Sequence, residues 1–170
     1  MDSLKKRFSK IYDKYIDKIY RFIFFKVNSQ DIAQDLTSET FLKSWEVFKQ
    51  NKNPGIKNIQ AFLYKTAKNL IIDHYREKGK VQFVSLENNP LIDQEQNLEE
   101  KAILNSEVNN IRKAIFNLKE DYQNVIIWRY LDGLSISEIS KLLGRSEQAT
   151  RVLLHRSLES LRQKLNFNQS

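Results

Sequence analysis

Near the C-terminal end of the chain, four side chains recur at a spacing suited to reading the edge of a base pair. Gln148, Arg151, Val152 and His155 fall on one side of a helix drawn through them. Gln and Arg can each bond a base edge through two hydrogen bonds, and an aliphatic group can touch a thymine methyl. Arg145, Ser146 and Arg156 flank this set, and basic groups beside a helix N-terminus hold phosphates. A second set is also basic: Lys65, Lys68, Asn69 and Arg76, with Phe62, Tyr64 and Tyr75 interleaved. Bases drawn out of a stack need aromatic faces, polar groups for their edges and cations for their backbone. An ordinary amphipathic helix with snorkelling lysines has the same pattern. A third set is acidic. Asp31, Asp35 and Glu39 stand at i, i+4 and i+8, where like charges repel by a few tenths of a kcal/mol per pair. Such a stripe suits a solvated face or a basic partner protein equally well.

Catalysis finds no comparable set. Asp73 and His74 are adjacent, and neighbours on a helix do not face each other. No Ser or Cys nucleophile is placed by a motif, and no Gly-rich phosphate loop is present. His74 and His155 are far apart in the chain and cysteine is absent, so neither a metal site nor a cofactor is expected.

The base-reading set needs a frame, and the stretch Leu134 to Leu165 supplies it. Ser135 with Glu138 three residues later can form a capping box. Ile136, Ile139 and Leu143 follow at helical spacing. Gly144 stands where a left-handed C-cap residue is needed, and Ser146 can cap a second helix. Ser140 is small enough for that helix to cross closely. Thr150, Leu154, Leu158, Leu161 and Leu165 form its expected inner stripe. A short helix, a glycine turn and a longer helix make a helix-turn-helix.

The rest of the chain reads as helical too. Ile11, Tyr15, Ile19, Phe22 and Ile23 predict a helix from about Leu4 to Val27, broken by Asn28 and Ser29. A second helix, starting at Ser29 or Asp31, turns Ile32, Leu36, Phe41, Trp45 and Phe48 inward. A polar loop with Pro54-Gly55 follows. The helix after it buries Leu63, Ala67, Leu70 and Ile71. Beyond about Leu98, Val108, Ile111, Ile115 and Leu118 mark one helix, and Val125, Ile126 and Trp128 to Leu131 another.

Charge divides the chain. Residues 1–80 hold 17 basic against 9 acidic side chains, residues 81–110 hold 1 against 6, and residues 111–170 hold 10 against 6. The acidic middle, VQFVSLENNPLIDQEQNLEE, has a proline and no clean helical period. It reads as a linker, because structureless loops longer than about 15 residues are uncommon inside a domain. The expectation is an all-α chain of two small helical domains, 1–80 and 105–170, joined by a flexible acidic linker over 81–104. The C-terminal domain contains the helix-turn-helix. With 170 residues, a net charge of +7 and few glycines or prolines, the composition fits helices and an anionic partner. The N-terminus MDSLKKRF lacks an apolar signal core, and Phe22 to Phe25 is too short to span a bilayer. The chain is expected to be soluble and cytoplasmic, without membrane insertion.

Three segments carry a resemblance. DIAQDLTSETFLKSW resembles the acidic segment of bacterial sigma-70 family factors. AFLYKTAKNLIIDHYREKGK resembles their basic segment, and LKEDYQNVIIWRYLDGLSISEISKLLGRSEQATRVLLHRSLESL their C-terminal segment. The three fall in family order. A short chain with only a linker between two domains resembles the extracytoplasmic-function group. Departures are Ser38 for the usual Gln, Phe62 for Trp and Lys119 for Pro, and the recognition helix reads Gln148-Ala149-Thr150-Arg151-Val152-Leu153.

The resemblance implies a sigma factor, not an enzyme, that directs core RNA polymerase to promoter DNA. Asp31, Asp35, Leu36, Glu39, Phe41 and Leu42 would bind the polymerase clamp. Phe62, Lys65, Lys68, Asn69 and Arg76, with the Lys49–Asn58 loop, would recognise and melt the −10 element. The acidic linker would thread the RNA-exit path. Arg145, Ser146, Gln148, Arg151, Val152, His155 and Arg156 would read the −35 element. The group also implies an anti-sigma factor as partner. On the residues alone, two rivals are a helix-turn-helix regulator acting without polymerase and a helical adaptor held by another protein.

Overall fold

A computed structural model describes residues 2–50, 57–81 and 106–169. Most of the polar loop after the second helix, and the segment 81–104 expected as a linker apart from Val81, lie outside these residues. The described residues are helical and form two compact units.

In the first unit α1 spans Asp2–Val27, α2 spans Gln30–Gln50 and α3 spans Ile59–Val81. The break between α1 and α2 is short because Asn28 takes a left-handed conformation, φ 56°. Asn tolerates this better than most residues. Its N–H still bonds the Phe24 carbonyl at 2.8 Å, and Ser29 Oγ accepts from the Ile32 N–H at 3.4 Å to start α2. Asn58 Oδ1 accepts from the Ala61 N–H at 3.0 Å and starts α3. Each helix packs on the other two. The core is Tyr15, Ile19, Phe22, Ile23 and Val27 from α1, Ala33, Leu36 and Phe41 from α2, and Leu63, Tyr64, Ala67, Leu70 and Ile71 from α3. Each large side chain buried here contributes about 1.5–3 kcal/mol of transfer free energy.

Two details differ from the expected faces. Tyr64 is interior, its ring edge-on to Phe22 at 5.2 Å, and is not part of the outer aromatic set. On α2, Ile32, Trp45 and Phe48 are only half-buried, while Thr37, Thr40 and Ser44 are buried beside Ala33. Their hydroxyls bond the carbonyls of Ala33, Leu36 and Thr40, each four residues back, at 2.6 to 2.7 Å. A hydroxyl satisfied by its own helix can be buried without an open hydrogen-bond debt.

In the second unit α4 spans Ser106–Phe116 and α5 spans Glu120–Ile126. A π-helical turn, Ile127–Leu131, continues α5. Then come α6, Ile136–Leu143, and α7, Glu147–Gln169. Six consecutive residues, Gln123 to Trp128, are buried. At about 100° per residue they face every direction, so α5 runs through the middle of the unit. Gln123 meets the cost of burial by donating to the Phe116 carbonyl at 2.7 Å. Ala114, Ile115, Leu118, Leu134, Ile139 and Leu153 complete the core. Val108 and Ile111 lie on the helix the periodicity marked, but both are exposed, so α4 buries only its C-terminal half.

Candidate nucleic-acid interface

α6 and the turn that leads from it into α7 are fixed by four residues acting locally. Ser135 Oγ accepts from the Glu138 N–H and Glu138 Oε1 accepts from the Ser135 N–H, both at 3.0 Å, which closes the capping box. At the other end Gly144 is left-handed, φ 66°. Its N–H bonds Lys141 O at 3.4 Å and the Arg145 N–H bonds Ser140 O at 3.1 Å, the bond pair of a Schellman ending. Ser146 Oγ then accepts from the Ala149 N–H at 3.1 Å and starts α7. The capping residues sit where the sequence placed them.

α7 packs on α4, α5 and α6. Its inner line is Thr150, Leu153 and Ser157, all buried, with Leu154, Leu158, Leu161 and Leu165 half-buried beside them. This is rotated from the leucine stripe that the spacing predicts. Thr150 and Ser157 lie deepest, and Ser140 of α6 is buried as well. The hydroxyls of Thr150 and Ser157 bond Ser146 O at 2.8 Å and Leu153 O at 2.7 Å.

The opposite face presents the expected readers. Gln148, Arg151, Val152, His155 and Arg156 are exposed, as are Arg145 and Ser146 at the turn. Acidic partners, not anticipated from the sequence, stand beside three of them. Glu147 lies 3.7 Å from Arg151, Glu159 lies 4.0 Å from His155, and Asp121 of α5 lies 3.6 Å from Arg145. Exposed pairs of this kind are worth about 0–1 kcal/mol at most, so they hold these side chains only weakly. Two of the three stand at i, i+4, a spacing that was legible.

A second charged face lies on α3. Lys65, Asn69 and Arg76 are exposed, and Lys68 and Phe62 are half-buried. Ile72, at 43% exposure, continues the stripe as an apolar member that the sequence reading did not single out. Tyr75 is 39% exposed, yet its hydroxyl donates to the Lys26 carbonyl at the end of α1. Desolvation raises its pKa from 10.0 to about 12. Burial, and then the Lys78 ammonium, hold His74 below the ordinary imidazole value.

The acidic stripe lies on α2. Asp31, Asp35 and Glu39 are exposed, and Leu42 beyond them is 61% exposed. Lys43 stands 3.8 Å from Glu39. Leu36 and Phe41 are buried, Phe41 edge-on to Tyr12 at 4.9 Å, so they seat the helix while the acids and Leu42 face outward. Among the described residues no cluster of His, Asp and Glu could hold a metal ion, and no helix is long and apolar enough to cross a membrane.

Comparison with known proteins accounts for both units. Residues 11–81 match the family described as Sigma-70 region 2, and residues 109–161 match Sigma-70, region 4. The chain is 28% identical over 155 residues to the ECF RNA polymerase sigma factor BldN of Streptomyces coelicolor, covering 91% of this chain and 58% of that one. It is 29% identical over 170 aligned residues to the ECF RNA polymerase sigma factor SigW of Bacillus subtilis, covering 93% and 88%. Among solved structures, the sigma factor RpoE of Bartonella quintana, in complex with the anti-sigma factor NepR, shares the fold. Its TM-score is 0.67 at 19% identity, covering 95% of this chain and 98% of that one. With the two family regions in order and these relatives across nearly its whole length, the chain belongs to the sigma-70 family, among the extracytoplasmic-function RNA polymerase sigma factors.

Proposed function

We propose that this sigma factor, which directs core RNA polymerase to promoters, divides the task among three faces. The exposed acids of α2, with Leu42, bind the polymerase clamp, and Leu36 and Phe41 hold that face in place from beneath. The outer face of α3, with Lys65, Lys68, Asn69, Arg76 and Phe62, engages and melts the −10 element. The outer face of α7 reads the −35 element through Gln148, Arg151, Val152 and His155, while Arg145, Ser146 and Arg156 hold phosphates. The division of domains at 1–80 and 105–170 follows the same assignment. A sigma factor is a binding subunit, so strand separation here is driven by binding energy and not by hydrolysis.

The observation that carries this reading is the outer face of α7. A turn closed by Gly144, with Ser146 starting the helix after it, presents the proposed base-reading set on a helix packed on three others. A regulatory partner of the anti-sigma class is proposed on the example of the Bartonella quintana sigma factor, which is held by one. The cytoplasm is the compartment where core polymerase is met. The test is transcription in vitro with bacterial core polymerase on a library of promoter fragments, with and without the protein. Start sites that depend on the protein and share spaced −35 and −10 motifs are expected. Specific duplex binding by the free protein, with no binding to core polymerase, would replace this reading with a stand-alone regulator.

A further inference from the structure

The reading face of α7 carries an acid at the place where a DNA-binding helix can least ignore one. Glu147 is the first residue of the helix, and its carboxylate lies 3.7 Å from the Arg151 guanidinium one turn on. The two side chains are 53% and 63% exposed, so the pair is not a packing device. Thr150 and Leu153 are buried, while Glu147 and Arg151, one turn apart, are both exposed. In a helix-turn-helix the N-terminal residues of the second helix are the ones that meet base edges.

A carboxylate in that position is repelled by phosphates and has no hydrogen to give to a base acceptor. It can only accept. In the major groove, glutamate accepts from the N4 amino group of cytosine, while arginine donates to O6 and N7 of guanine. A guanidinium beside a carboxylate can therefore meet the two acceptors of a guanine and the N4 donor of a cytosine in the adjacent base pair. We propose that Glu147 is a specificity-determining residue of the −35 reader, accepting a hydrogen bond from cytosine N4 beside a guanine read by Arg151. This rests on the reading of α7 as the −35 helix. The competing role is a charge screen that weakens attraction to all DNA alike.

The experiment uses holoenzyme rebuilt from core polymerase and wild-type, Glu147→Ala or Glu147→Gln protein, selecting promoter fragments randomised across the −35 region. The wild type is expected to enrich cytosine at one position next to a guanine. In Glu147→Ala that preference falls about tenfold, the effect of one lost base-edge contact, and preferences elsewhere persist. Glutamine both donates and accepts, so Glu147→Gln moves the preference at the same position from cytosine toward adenine. Uniformly tighter binding of every sequence by both variants would overturn the proposal and make Glu147 a charge screen. An unchanged profile would overturn it as well. A wild-type holoenzyme with no −35 preference would overturn the reading of α7 itself, and this proposal with it.

Discussion

A base-reading arginine must be able to leave whatever holds it in the free protein. Arg151 meets that condition, since its contact with Glu147 is exposed and long. Arg151→Ala is expected to cost about 1–3 kcal/mol on a specific −35 site and little on unrelated DNA. Binding titrations of holoenzyme on the two kinds of site check this, and an equal loss on both would remove its base-reading role. Tyr75 is the opposite kind of residue, one whose polar atom is committed to the fold. Tyr75→Phe loses the bond to the Lys26 carbonyl and should cost about 0.5–1.5 kcal/mol in urea unfolding. Its titration gives a second readout. The folded pKa, about 12, lies above the free value of 10.0. The unfolded chain therefore ionises first, and the stabilisation is complete below pH 10.0 and lost as pH rises toward about 12. Wild-type stability should fall through that window more steeply than that of Tyr75→Phe. Parallel curves would mean that the hydroxyl ionises alike in both states.

At the scale of the element, the turn between α6 and α7 rests on one backbone conformation. A Cβ added at Gly144 would meet nothing within 4 Å, so Gly144→Ala strains only the left-handed backbone. The expected loss is about 1–2 kcal/mol, read as a lower urea midpoint for the second unit. A loss near zero would show that the turn relaxes to another conformation. This turn and the start of α6 were legible in the sequence because caps are local: Ser135, Glu138, Gly144 and Ser146 act on residues at most four positions away. The helices themselves were legible for a similar reason, since periodicity is local. What periodicity could not fix was the rotation of a helix against its neighbours. It placed Thr150 on the inner line of α7 correctly but continued that line through Leu154 and Leu158, whereas Leu153 and Ser157 are the residues buried with Thr150. It set Tyr64 among the outer aromatics, although Phe22 of another helix covers it. It marked the helix through Val108, Ile111, Ile115 and Leu118, but only the last two of these are buried. Gln148, Arg151, Val152 and His155 do lie on the exposed face of α7, whereas the acidic partners depended in part on α5, which no local rule connects to Arg145.

At the scale of the whole molecule, charges of the two signs collect in separate stripes. The net charge is +7, yet the exposed stripe of Asp31, Asp35 and Glu39 is acidic and lies on its own helix. Asp35→Lys with Glu39→Lys should abolish binding to core polymerase and leave the fold intact, because both side chains are exposed and the charge pairs they make on the helix matter by only a few tenths of a kcal/mol each. Pull-down with core polymerase beside circular dichroism would decide it, and undiminished binding would take the clamp role away from α2. That stripe also depends on what lies beneath it. Thr37, Thr40 and Ser44 turn their hydroxyls back onto their own helix, so toward α1 and α3 they offer a methyl group or almost nothing. The seat of α2 is therefore shallow. A larger side chain at any of the three has no depth to occupy and can only act as a wedge that lifts the helix. Since the acids ride on one rigid rod, such a wedge would shift them as a set, so a neutral change in the interior can mistune a surface it never touches.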